Sequence, residues 1–237
     1  MKKIKQENKK EIFNFKNSYS KLPKGFYEEI NPEPVKCPDL IEFNQDLGNF
    51  LNIDTKALTG KKGRFLLSGN ILPEGAKPIA MAYAGHQFGN FVSQLGDGRA
   101  ILLGEVIAKN GKRYDIQLKG SGKTSFSRQG DGRAPLGPVI REYLLSEAIH
   151  NLNIPSTRSL AIVTSGEFVQ RDSLLPGAIL TRVASSHIRI GTFEFFFYRN
   201  DIKSLKRLAD YTIQRHFPLL NTTKRIYSSF LLSVLKL

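Results

Sequence analysis

The chain is poor in residues that several functional classes depend on. Among 237 residues there is one cysteine, Cys37. No intrachain disulfide and no cysteine metal cluster can form, which fits a reducing, cytoplasmic setting. Tryptophan is absent. Long hydrophobic runs are also missing: segments such as Phe193 to Tyr198 are far too short to span a bilayer, so no membrane partner is expected. The N-terminus is basic but lacks the apolar stretch of about 7–15 residues that a secretory signal needs. Glu7 and Glu11 also count against an acid-poor transit peptide. His86, His150, His187 and His216 form no metal-ligand spacing. His150 is expected on a helix surface and His187 in a loop, and neither is given a catalytic role.

Acidic residues are scarce. Asp and Glu total 21 against 35 Lys and Arg, a formal net charge of +14 and a pI near 9.9. That balance implies an anionic partner: nucleotide, nucleic acid or an acidic protein surface. Part of the excess lies at the start, where Lys2, Lys3, Lys5, Lys9, Lys10, Lys16, Lys21 and Lys24 face only Glu7 and Glu11. Residues 1–30 are expected to form a basic, poorly ordered arm. At the other end, Leu219 to Leu237 has no Asp or Glu at all.

What is present is ordinary globular material, 41% hydrophobic and 24% charged, enough for a sizeable core. A short helix is expected around Ile53 to Thr59, then a loop from Ser68 to Pro78 with two Gly and two Pro. Ala80 to Gly89 reads as a helix or turn. Ala100 to Ile107 and Arg113 to Lys119 read as paired strands joined through Lys109-Asn110-Gly111-Lys112, where Asn-Gly is a strong hairpin signal. Val139 to Leu152 places Ile140, Leu144, Leu145, Ala148, Ile149 and Leu152 on one helical face. Leu160 to Thr164 and Gly177 to Val183 are strand-like around a polar loop, and Leu205 to Phe217 is helical with Pro218 as its stop.

The pentapeptide Gly-Asp-Gly-Arg-Ala occurs twice, at Gly96 to Ala100 and at Gly130 to Ala134. Between the copies the strand ends at Lys119, followed by Gly120-Ser121-Gly122-Lys123-Thr124. Glycine lets backbone N–H groups approach an anion, arginine offers a bidentate fork to phosphate, and lysine offers a point charge. The same residues also suit two hairpin turns. A phosphate loop is excluded, because its opening glycine would fall at Gln117; a dinucleotide fingerprint is excluded because Ile101 takes its last position. A protein-kinase small lobe is the better template: a Gly-rich turn at Gly96 to Arg99, a strand lysine at Lys119 and a helix carboxylate at Glu142. From spacing alone, Lys119 and Glu142 could equally be surface charges.

The runs GDGRAILLGEV, DIQLKGSGKTSFSRQGDGRAPLGPVIREYLLSEAIH, IPSTRSLAIVTSGE and PGAILTRVASSHIRIGTFEFF closely resemble the selenoprotein O family, densely so from about Ile79 to Phe217. The resemblance implies a kinase fold acting as a protein adenylyltransferase, with ATP bound in a flipped pose and AMP passed to Ser, Thr or Tyr hydroxyls of proteins. It implies nucleotide contacts from Gly96, Gly98, Arg99, Lys119, Asp131, Gly132, Arg182 and Arg189, with Glu142 as the partner of Lys119. It implies Mg²⁺ or Mn²⁺ as well, but the family's catalytic Asp and metal ligands would fall downstream of Leu237. The expected architecture is therefore α+β. Residues 31–183 would form a kinase-like N-lobe of antiparallel sheet plus helix, and residues 184–237 the first elements of a truncated large lobe, inactive as it ends. The alternative is a non-catalytic basic module binding nucleic acid or an acidic partner. Nucleic acid is the less favoured of these, because no interleaved aromatic platforms are evident.

Overall fold

An α+β organisation is present in the computed structural model, which describes residues 11–236. In chain order the elements are β1 (Tyr27–Glu29), β2 (Asp39–Phe43), α1 (Gln45–Phe50), α2 (Thr55–Thr59), α3 (Gly63–Leu67), β3 (Ile79–Met81), β4 (Gly85–Gln87), β5 (Asn90–Val92), β6 (Ala100–Ile107) and β7 (Arg113–Lys119). They continue with β8 (Ala134–Pro135), α4 (Leu136–Asn151), β9 (Arg158–Gln170), β10 (Leu174–Ala184), α5 (Ile190–Phe197), α6 (Ile202–His216) and α7 (Ile226–Val234). By contacts the chain divides into two compact units. One holds the chain up to Ala82 and Gly96–His187; the other holds Tyr83–Leu95 and the chain from Ile188 onward. The break thus falls after His187 rather than after residue 183, and Tyr83–Leu95, between β3 and β6, belongs to the second unit.

The first unit is built on one antiparallel sheet of order β1-β3-β6-β7-β10-β9-β2, with β8 added to β10. The hairpin β6–β7 turns at Lys109 to Lys112 with Gly111 at φ 74°, a left-handed position that suits glycine. Strand β7 alternates polar and apolar residues (RYDIQLK), so its two faces differ. Ile116 and Leu118 enter a core with Leu103, Val106, Val163, Ile179 and Val183.

Residues 11–30 are not a loose arm; residues 1–10 lie outside the described part. Phe13, Phe15, Tyr19, Leu22 and Phe26 are buried, and Phe13 and Phe15 stack with ring centres 5.1 Å apart. A Cβ at Gly104 would lie 2.6 Å from Phe15, so the glycine inside β6 leaves room for that ring. Buried Glu105 then accepts from the backbone N–H groups of Ser18 and Tyr19, at 2.8 and 2.6 Å, and pairs with Arg113 at 3.3 Å. The lysine count misled because Asn14, Lys16, Lys21 and Lys24 all face solvent while the aromatics between them face inward. Burying one such ring contributes about 1.5–3 kcal/mol.

Helix α4 forms where expected but is rotated. Leu144, Leu145 and Leu152 are 61, 59 and 70% exposed, while Val139, Glu142, Tyr143, Ser146 and Glu147 are buried or half-buried. The face opposite them decides this. Lys119, Arg182, Arg158 and Ser159 project toward the helix, so its polar side turns inward to pair with them. Ser146 Oγ lies 2.8 Å from Ser159 Oγ, and Glu147 receives Arg158 at 2.8 and 2.6 Å. Burial raises the Tyr143 hydroxyl to about 12, with Glu42 and Glu147 adding to the shift. Strands β9 and β10 also run further than expected and take in most of the polar loop between them.

In the second unit, β4 and β5 replace the helix or turn expected over Ala80 to Gly89. Gln87 pairs with Asn90 across a two-residue turn in which Phe88 and Gly89 both have positive φ, 53° and 77°. That is the primed turn whose twist suits a tight hairpin. Asp201 caps α6 by accepting from the Ser204 N–H at 3.0 Å. Arg199 stacks on Phe195 at 3.7 Å, and Phe91 meets Tyr198 at 4.4 Å. No helix among the described residues is long and apolar enough to cross a membrane.

Candidate functional site

The polar face of β7 carries the site. Period-two geometry puts Asp115, Gln117 and Lys119 on one side, and the antiparallel register sets Arg182 of β10 opposite Gln117 and Leu180 opposite Lys119. Helix α4 lays Glu142 over this face. The Lys119 ammonium and the Glu142 carboxylate form an ion pair, although 23 positions separate them in sequence. Arg182 Nη1 reaches the other carboxylate oxygen at 3.3 Å, so two cations share one acid.

The side chains of Lys119, Glu142 and Arg182 are 20, 27 and 14% exposed: sheltered, yet open to a ligand. Burial pushes the Lys119 ammonium below its ordinary value. Glu142 opposes the shift, while the charges of Arg182 and Arg99 add to it. Burial alone would raise the Glu142 carboxyl, but the Lys119 hydrogen bond and the charges of Arg182 and Lys119 outweigh it and hold the group low. The cluster is a fixed carboxylate crowded by positive charge, and an anion would relieve that crowding.

Arg99 lies in the turn just before β6, and its charge acts on Lys119. Ala100 pairs with Lys119, and the Arg99 carbonyl accepts from the Gly120 N–H at 2.8 Å. The glycines before it do not form an open cradle. A Cβ at Gly96 would lie 2.2 Å from the Phe126 ring, and one at Gly98 2.7 Å from the Phe126 carbonyl oxygen. The Asp97 N–H donates to Met81 O and the Gly98 N–H to Gly96 O, both at 3.0 Å. Thr124 Oγ1 donates to Asp97 O at 2.7 Å and Ser127 Oγ to Gly98 O at 2.5 Å. This glycine turn is packed under the loop that follows β7.

Asp131 and Gly132 are placed differently. The Asp131 carboxylate is engaged by Arg171 at 2.8 and 3.0 Å and by the Arg133 N–H at 2.9 Å, and the Arg171 hydrogen bond holds its pKa low. Gly132, at φ 67°, touches Gly122 so closely that a Cβ would fall 2.0 Å from the Gly122 oxygen. Arg189 belongs to the second unit. It caps α5, its N–H donating to Thr192 Oγ1 at 3.0 Å, and its guanidinium lies 4.7 Å from the Tyr83 ring centre. Lys119, Glu142 and Arg182 therefore gather, with the charge of Arg99 near enough to act on Lys119, while Asp131 is paired elsewhere.

Residue spacing gave no prior place to Gln117 or to the pair Asp115–His187. Gln117 links Asp97 to Arg182. His187 is 4% exposed and lies against Asp115 at 2.8 Å through its N–H and 3.2 Å through Nδ1. Burial depresses the His187 pKa despite Asp115, which favours a neutral ring. The signal for both was the alternation R-D-Q-K along β7, since polar residues at every second place mark one chemical face. A separate cleft of about 800 Å³ in the same unit is lined by Asn44, Tyr114, Glu147, His150, Arg158 and Ser185; it contains none of the gathered cations. Among the described residues, no three His, Cys, Asp or Glu side chains group to hold a metal ion.

Known proteins place this geometry in context. A profile of the protein adenylyltransferase SelO family matches residues 10–237. The protein nucleotidyltransferase YdiU of Alkalilimnicola ehrlichii is 57% identical over 224 residues, covering 94% of this chain and 45% of that protein. YdiU of Rhodopseudomonas palustris is 58% identical over 224 residues, 94% of this chain and 46% of that protein. YdiU of Brevibacillus brevis is 56% identical over 224 residues, with 94% and 45% covered. The chain thus spans just under half the length of these relatives. With a family match across nearly all of its length, the chain belongs to the protein adenylyltransferase SelO family.

Proposed function

We propose that this chain binds ATP at the Lys119–Glu142–Arg182 cluster, as the nucleotide-holding part of a kinase-like protein adenylyltransferase. The observation that carries the reading is the sharing of one carboxylate by two sheltered cations, with Arg99 adjacent. Glu142 aims both cations, and the surplus positive charge is left for phosphate oxygens. In the same reading Gly96 and Gly98 shape the turn that precedes β6, and Asp131 would have to share or exchange its hold on Arg171 to meet a ligand.

In the reaction we propose for the whole protein, a Ser, Thr or Tyr hydroxyl oxygen bonds to the α-phosphorus of ATP. The bond from that phosphorus to the oxygen bridging to the β-phosphate breaks, the hydroxyl proton is released, and pyrophosphate leaves. Cations on the β- and γ-phosphates stabilise the charge that builds on the leaving group. Lys119 and Arg182 suit that role. The family's Mg²⁺ or Mn²⁺ would neutralise further charge. Among the described residues no three His, Cys, Asp or Glu side chains group to hold such an ion, and no step is assigned to it.

The test is calorimetric titration of the chain with ATP. Saturable binding at one site is expected, weakened about tenfold or more by Lys119→Ala or Arg182→Ala, as loss of a charge-assisted contact implies. Binding to any polyanion, lost steeply with salt and indifferent to these changes, would support the basic-module reading instead.

A further inference from the structure

We propose that Gln117 and Asp97 are positioning residues that set the direction of Arg182, and that the first GDGRA copy serves this relay. The inference rests on the ATP-site reading above. Gln117 is wholly buried and Asp97 is 2% exposed. Gln117 Nε2 donates to Asp97 Oδ2 at 3.0 Å, while its Oε1 accepts from Arg182 Nη2.

The order of donors and acceptors admits one arrangement. An ionised carboxylate only accepts and a guanidinium only donates, so an amide between them must turn its NH₂ to Asp97 and its oxygen to Arg182. Asp97 is itself fixed. Its Oδ2 also accepts from the Met81 N–H at 3.2 Å, its own N–H is tied to Met81 O at 3.0 Å, and Thr124 holds its carbonyl. Arg182 therefore has Nη2 on Gln117 and Nη1 on Glu142. Two fixed acceptors define the plane of a guanidinium, and with it the direction in which its remaining N–H groups meet a phosphate. Shielding from water strengthens each bond in the series and makes any orphaned member costly.

ATP affinity of the full 237-residue chain tests this. Gln117→Leu should weaken ATP binding about tenfold, the effect of losing a hydrogen bond to a charged group, and should weaken it no further in an Arg182→Ala background. Gln117→Glu should also weaken binding, because two carboxylates then face each other. Adding Asp97→Asn to Gln117→Glu should restore it. The amide introduced at position 97 can point its NH₂ at the carboxylate introduced at position 117 while its oxygen takes the Met81 N–H, and the pair regains its original net charge. A general packing defect would not be rescued in this way and would add to Arg182→Ala. Wild-type affinity in Gln117→Leu, equal further loss in the Arg182→Ala background, or no recovery in the folded double variant would each overturn the proposal. If Arg182→Ala itself leaves ATP binding unchanged, the ATP-site reading fails instead.

Discussion

The two GDGRA copies are the same five residues in two environments. In the first, Asp97 is buried and joined to Gln117 and Met81. In the second, the Asp131 side chain is 40% exposed and pairs with Arg171. The backbones differ too: positive φ falls on the first glycine of one copy, Gly96 at 59°, and on the second glycine of the other, Gly132 at 67°. The charge of Arg99 acts on Lys119, whereas Arg133 turns to Glu33 at 3.2 Å. Only the alanines behave alike, each entering a strand of the same sheet. An identical peptide takes its conformation from what is packed on it: the Phe126 loop in one case, the Gly122 turn and the β9–β10 hairpin in the other.

The widest gap between the copies should appear at the aspartates. Asp97→Ala orphans Gln117 Nε2 and the Met81 N–H in a buried site and should cost about 3 kcal/mol or more, while Asp131→Ala should cost no more than about 1 kcal/mol. Urea unfolding of the two variants measures both, and equal losses would break the comparison.

Alanine at the glycines comes next. Gly96→Ala places a methyl against Phe126 at a left-handed φ and should destabilise by about 2–4 kcal/mol. Gly130→Ala should be milder, since its Cβ would meet only the Ser127 oxygen at 3.0 Å and its φ is not positive. Thermal unfolding should therefore rank Gly130→Ala above Gly96→Ala in stability.

Glu142 sharpens the contrast through pH. Its folded pKa lies below the ordinary 4.5. Its contribution is therefore complete above about that pH and is lost as pH falls through the lower, folded value. Glu142→Gln should cost about 1–3 kcal/mol at neutral pH by leaving Lys119 and Arg182 underpaired. The difference from the parent chain should shrink in acid, and unfolding followed from about pH 7 to about pH 3 checks the sign. The smallest effect belongs to Arg171→Ala. Its pair with Asp131 is 35 and 40% exposed, so the loss should stay below about 1 kcal/mol. A larger loss would mean that the second copy is as tightly integrated as the first.

Much of this was legible locally. The alternation in Arg113 to Lys119, the Asn110-Gly111 turn and the apolar spacing of the helix ending before Pro218 are patterns of near neighbours. The backbone periods of two and 3.6 impose them wherever the segment lies. The Lys119–Glu142 pair was legible through the kinase-like template, because strand lysine and helix carboxylate both carry a local signature. Gln117 was legible only as one polar residue of the β7 alternation, since an amide in a strand has no distinctive spacing of its own. Its role depends on Asp97 lying on one side and Arg182 on the other.

The sequence by itself determined the β6–β7 hairpin, the middles of β9 and β10, helices α2, α4 and α6 and the excess of positive charge, all set by the order of residues along a short stretch of backbone. Only the tertiary structure decided which face of α4 turns inward, whether residues 11–30 pack or trail, and which GDGRA copy holds a buried aspartate. The reason is common to all three. A helix with apolar and polar sides can bury either, and Phe15 or Asp97 can be buried only where Gly104 or Gln117 waits opposite. Burial is a property of two surfaces, and the second surface lies far away in the chain.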